Sequence, residues 1–176
     1  MSDTLITVVA ILLAAILMFL FPLMSVSERS DDVSQLAVQT AVNEFVDNSA
    51  TSGKITIENY NALVSTLNAT GNPYEVEIEH KILDENIGKK TAWTQSSVIG
   101  ENVYYSVYTS QIMGEIETNT KGTYNMKKGD ILSVSVKNSG KTLAQMIRGV
   151  FYSVSTNGNY QISAQHSRAV TATGSN

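Results

Sequence analysis

Two histidines, three alternating glutamates and a Gly-Lys-Lys-Thr run are the residues of this chain whose types could carry chemistry. Zinc takes imidazole and carboxylate ligands, so His80, His166 and Glu79 could contribute to a site if their strands met. The two histidines lie far apart in sequence and in no ligand spacing. Hydrogen-bonded or solvated side chains, and no metal, are the expectation. Glu75, Glu77 and Glu79 alternate with Val76 and Ile78 and so share one face of a strand. Such a row could hold a cation or a basic partner strand. A solvated face paired to Lys81, Lys127 or Lys128 is expected instead. Asp84-Glu85-Asn86 offers oxygens to calcium but lacks the DxDxDG spacing and its closing Glu. Gly88-Lys89-Lys90-Thr91 shares letters with a phosphate loop but lacks the first glycine and the strand–loop–helix context. No serine lies in GxSxG, and no Ser, His and Asp form a recognisable triad. Asn68-Ala69-Thr70 is a formal glycosylation sequon. The reading therefore names no catalytic residue and no cofactor site, and an anchored enzyme is its weakest functional class.

Composition narrows the field further. Zero Cys among 176 residues excludes disulfides, thiolate metal sites and a cysteine nucleophile. The net charge is −4, with no Lys/Arg cluster, so no electrostatic footprint for nucleic acid is present. No small-molecule substrate is indicated. Ser, Thr and Asn exceed a quarter of the chain, a surface common outside cells.

The elements that must position these residues are legible from periodicity. Tyr74–His80 alternates strictly between apolar or aromatic and charged residues, the period of a half-buried strand, after a turn at Asn72-Pro73. Ile57–Ala69 reads as a helix with Thr56 as N-cap, Tyr60, Leu63, Val64 and Leu67 on one face, and Gly71 as the stop. A strand is expected over Val103–Val107 and a helix over Thr109–Asn119 with Ile112, Met113 and Ile116 inward. Tyr124–Asp130 reads as a strand end and turn, and Ile131–Val136 as a strand. Leu143–Tyr152 reads as an amphipathic helix. Asn157-Gly158-Asn159 turns into a final strand, Tyr160–Val170, and Thr171–Asn176 looks like a frayed tail.

All of this follows one unbroken apolar run, residues 5–24, in which Thr7 is the only polar side chain. Twenty residues match the length a helix needs to cross a hydrocarbon core of about 30 Å. A cleaved signal is the rival reading. It wants a basic leading region and an apolar core of about 7–15 residues. Here MSDT carries no Lys or Arg, the core is longer, and Ser25-Val26-Ser27 is a poor cleavage site. A retained span is expected. Pro22 removes a backbone bond inside it and should kink the helix near residues 18–22. Beyond the run, Val33, Leu36, Ala37, Thr40, Ala41 and Phe45 make an apolar stripe at spacings of three and four, ended by residues 49–53. Arg29 just after the run weakly favours a cytoplasmic head by the positive-inside rule. Long domains translocate regardless of local charge, and the head is expected outside.

The order of parts resembles type IV pilin-like proteins: an N-terminal membrane helix, Pro22 near its outer end, an amphipathic continuation and a small α+β head. Val42-Asn43-Glu44-Phe45-Val46-Asp47, Gly53-Lys54-Ile55-Thr56, Tyr60, Leu67, Gly71, Tyr74 and Tyr124–Asp130 are similar to the small membrane proteins of tight-adherence pili and of conjugative elements in Gram-positive bacteria. Two departures stand beside the likeness. Residues 5–24 lack the acidic residue that pilins carry a few positions into the apolar helix, Asp3 being the nearest. No basic leader with a Gly-type processing site precedes the run.

The expectation is thus an α+β protein: residues 1–24 a transmembrane helix, 25–52 its amphipathic continuation, and 53–176 a head with an antiparallel sheet and two or three short helices. The resemblance implies a structural subunit of a surface filament, secretion or conjugation apparatus, with the bilayer and other copies or pilin-like subunits as partners. Leu5, Ala10, Leu13, Ala14, Ala15, Leu17, Phe19 and Pro22 are the candidate membrane and assembly residues. An anchored extracytoplasmic binding domain that does not polymerise is the alternative.

Overall fold

The computed structural model describes residues 2–83, 104–152 and 162–175. A single helix, α1 (Ser2–Ser52), runs unbroken through Pro22. Ten elements among the described residues form an α+β architecture, the fold class expected. After α1 come β1 (Lys54–Thr56), α2 (Ile57–Ala69), β2 (Tyr74–Leu83), β3 (Tyr104–Tyr108) and α3 (Thr109–Thr118). They are followed by β4 (Thr123–Asn125), β5 (Ile131–Asn138), α4 (Leu143–Tyr152) and β6 (Ser163–Ala169).

Four strands make an antiparallel sheet in the order β3-β2-β5-β6. Its inner face carries Val76, Ile78 and His80 of β2 opposite Val136, Val134 and Leu132 of β5. Alternation puts Glu75, Glu77 and Glu79 on the outer face, where Glu75 and Glu77 are exposed. The C-terminal half of α1 covers the inner face against β5 and β6, and α2 packs on α1. Val38, Val42, Val46, Ile55, Ile78, Ile112, Leu132, Val134 and Val136 are fully buried between these layers. Burying each large aliphatic side chain is worth about 1.5–3 kcal/mol, which makes this layer the main source of cohesion.

The seam of α1 differs from the stripe that periodicity marks. Val33 and Leu36 are 64% and 66% exposed, and Thr40 is exposed as well. The buried face is Ser27, Ser34, Val38, Val42, Phe45, Val46, Ser49 and Ala50, with Ala41 packed at its edge. These positions also recur at three, four and seven. Small hydroxyl side chains let the head approach the helix closely, and a count of apolar letters cannot register them. The helix also continues past residues 49–51, which are still helical, until Gly53 turns it at φ +70°.

Local signals set the shorter elements. The Asn59 N–H donates to the Thr56 hydroxyl at 3.2 Å, the N-cap of α2. Gly71, at φ +80°, lets the chain leave α2 for β2. Thr109 at the start of α3 accepts from the Ile78 N–H at 2.7 Å and so ties that helix to β2. The two-stranded ladder β1–β4, with Ile55 opposite Tyr124, was not anticipated from the sequence. β6 spans Ser163–Ala169, and Tyr160 and Gln161 of the expected strand lie outside the described residues. Gln35 of α1 exchanges two bonds with Ser163: its Nε2 donates to the backbone carbonyl at 2.8 Å, and its Oε1 accepts from the N–H at 3.0 Å.

The C-terminal segment is pinned rather than frayed. The Thr171 N–H donates to Ala50 O at 3.0 Å, and the Gly174 N–H to Met126 O at 2.9 Å. Lys128 N–H donates to the Thr173 hydroxyl at 3.2 Å. The last carbonyls of a helix have no partner within the helix, and the tail supplies one of them. The expected Asp84-Glu85-Asn86 and Gly88–Thr91 features, Val103 and the Asn157–Asn159 turn lie outside the described residues.

Candidate membrane and assembly surface

The first half of α1 is largely exposed. Residues 3–26 are exposed apart from Leu20 and Met24, which are half-buried. Leu5, Leu13 and Phe19 are 67%, 53% and 77% exposed. Ala10, Ala14, Ala15, Leu17 and Pro22 lie on the same free helix, so every candidate residue of the apolar run is brought onto one surface. At 1.5 Å per residue, residues 5–24 span about 30 Å. Among the described residues one helix is therefore long and apolar enough to cross a membrane. Apolar side chains surround it on all sides. An apolar surface of that extent is not stable in water and needs lipid or protein cover.

The head begins abruptly above the run. Ser27 is the first buried residue of α1. Glu28 then pairs with Arg148 of α4, whose Nε donates at 3.1 Å. Asp31 accepts from the Thr142 hydroxyl at 2.6 Å. These contacts join residues more than a hundred positions apart, and no periodicity in the sequence announces them. Higher up, a groove of about 440 Å³ separates α1 from α2. Phe45 and Leu63 lie in it with Ala37, Thr40, Ala41 and Glu44 around them.

The two histidines do not meet. β5 lies between their strands, which places them about 10 Å apart by strand spacing alone. His80 is 1% exposed. Its Nδ1 lies 2.8 Å from the Tyr124 hydroxyl and its Nε2 3.0 Å from Asp130 Oδ2. Asp130 also accepts from the backbone N–H of Lys127 at 2.8 Å and of Leu83 at 3.1 Å. Burial holds the His80 pKa below its usual value, although the Asp130 carboxylate opposes the shift. The neutral ring thus donates Nε2–H to Asp130 and accepts from Tyr124 at Nδ1. Burial, with Glu115 and Asp130 nearby, raises the Tyr124 hydroxyl and keeps it protonated. All three residues are buried, and their hydrogen bonds tie β2 to β4 and to the turn before β5.

His166 instead lies 3.3 Å from Asp47 Oδ1, which also accepts from Arg168 at 2.7 Å. The Arg168 hydrogen bond, with His166 beside it, lowers the Asp47 pKa although burial opposes it. On the outer face Glu79 accepts from the Ser106 hydroxyl at 2.7 Å and lies 3.6 Å from Lys81. Glu75 stands in register with Lys137, a partner the sequence reading did not name. Among the described residues no three His, Asp or Glu side chains gather as metal ligands.

No family model, curated protein or solved structure matches this chain.

Proposed function

We propose that the chain is a membrane-anchored structural subunit of a pilin-like surface filament, secretion or conjugation apparatus. The observation that carries this reading is the division of α1. Its second half is the spine of the head, whereas its first half is largely exposed and apolar on every side. Such a helix can sit in lipid as a monomer and then exchange lipid for the same surface on neighbouring subunits. Assembly would be the mechanism: helices bundle through Leu5, Leu13, Leu17 and Phe19, with Ala10, Ala14 and Ala15 permitting close approach. The heads would then pack outside the bundle, on the extracytoplasmic side. The groove between α1 and α2 favours the second reading, an anchored binding module that stays monomeric.

Negative-stain microscopy of the sheared surface fraction of native cells separates the two. Filaments that contain the full chain support the first reading. A chain found only dispersed in the membrane supports the second.

A further inference from the structure

Val33 and Leu36 stand bare on α1, 64% and 66% exposed. The head does not cover them, because it packs on Ser27, Ser34, Val38 and Val42 of other faces. Lipid does not reach them either. If residues 5–24 fill the hydrocarbon core, Val33 and Leu36 lie about 14 and 18 Å past Met24 along the helix axis. The headgroup layer beside that core is roughly 5–8 Å deep. Both side chains therefore stand in water above the membrane; the inference rests on that spanning reading.

Their spacing points to the missing cover. Val26, Ser30, Val33, Ala37 and Thr40 follow one another at steps of four, three, four and three, the seam of a coiled coil. Val26 is 66% exposed, Ser30 and Thr40 are exposed, and Ala37 is half-buried. Leu36 flanks the seam beside Ala37. Glu28, Arg29, Asp31 and Asp32 crowd this stretch, and the seam passes between them at Ser30. The same steps run back without a break through Leu23, Phe19, Ile16, Leu12, Val9 and Leu5. The seam thus keeps its phase from the apolar run into the water-exposed helix, and no charged residue interrupts it. Sustained apolar positions at this spacing are the mark of helix pairing rather than of a solvated face.

We propose that this seam pairs with the same seam of a second copy, in a parallel two-stranded coiled coil that begins in the bilayer and continues to Thr40. Two copies anchored in one bilayer enter it in the same sense and at the same depth. Each seam residue then meets its own counterpart about a two-fold axis parallel to the helices. A different partner would need a helix of matching phase at that height, which a second copy has by construction. Ser30 and Ala37 are small and let the two backbones approach, while Val26 and Val33 fill the layers between. Ala10 and Ala14 lie off the seam, so pairing leaves them for the further contacts of assembly and does not depend on a filament.

The absence of Cys makes single-cysteine cross-linking clean. Val33 is exposed, so its replacement leaves the packing of the head intact. Full-length Val33→Cys is reconstituted alone in phosphatidylcholine vesicles at a high lipid-to-protein ratio and oxidised. Asp32→Cys and Gln39→Cys, exposed on another side of the same helix, are the controls. The expected result is disulfide-linked dimers from most of the chain at position 33 and several-fold fewer at 32 and 39. Carbonate-resistant chain that stays monomeric at position 33, or links equally at all three positions, overturns the pairing and spares the anchor. Chain released by carbonate overturns the spanning reading and this inference with it. In native membranes, an adduct of position 33 with a different protein in place of the dimer also overturns the proposal.

Discussion

The His80 ring donates to Asp130 across 3.0 Å inside the core, and this bond joins β2 to the turn before β5. Because burial lowers the His80 pKa, the native state refuses a proton that the unfolded chain accepts below about pH 6.5. The contribution is complete above pH 6.5 and is lost as pH falls toward the depressed native value. The slope is at most about 1.4 kcal/mol per pH unit. Asp47 titrates outside this window, since its pKa is lowered from 3.8. Denaturation between pH 7 and 5 should show this slope in the wild type and not in His80→Gln. That variant should also lose about 2–4 kcal/mol at pH 7 by leaving Asp130 and Tyr124 poorly paired.

Gly53→Ala should be among the most damaging single-methyl additions. Gly53 sits at φ +70°, and a Cβ there would strike Ala172 O and the Gly174 N–H. The conformation alone costs about 1 kcal/mol for an L-residue, and displacing the docked tail adds to it. A lowered melting temperature with 171–175 newly open to carboxypeptidase is the expected signature.

The lower edge of the head lies at Ser27. A head beginning at Ser25 should therefore be more stable than one beginning at Ser30, which lacks the Ser27 packing and the Glu28–Arg148 pair. The pair is partly exposed, so the difference should be about 1 kcal/mol. Parallel urea titrations measure it.

Leu13→Arg and Ile16→Arg should weaken membrane insertion by about 2.5–3.5 kcal/mol per charge near the centre. Carbonate extraction should release the double variant and leave the wild type in the pellet.

What the sequence disclosed follows from range. The bounds of α2, the Thr56 cap and the Leu143–Tyr152 helix are written in local caps and periodicity. Strict alternation marks β2 for the same reason. The buried face of α1 was misplaced because Ser27, Ser34 and Ser49 pack as core while Val33 and Leu36 do not. Partners that lie far apart in the chain left no local trace. His80 with Tyr124 and Asp130, Thr171 with Ala50, and Glu28 with Arg148 all belong to that class.

Cross-linking through the free helix tests the assembly claim most directly. Ala14→Cys, introduced into a chain with no other cysteine, is oxidised in cells that make the complete apparatus. Disulfide-linked dimers in the sheared surface fraction are the predicted result, because the filament reading puts Ala14 where neighbouring helices would approach closely. Ala14→Phe should insert normally yet be missing from that fraction. If Ala14→Cys stays monomeric and membrane-dispersed, or Ala14→Phe assembles as well as the wild type, the filament account is contradicted and the anchored-module reading replaces it.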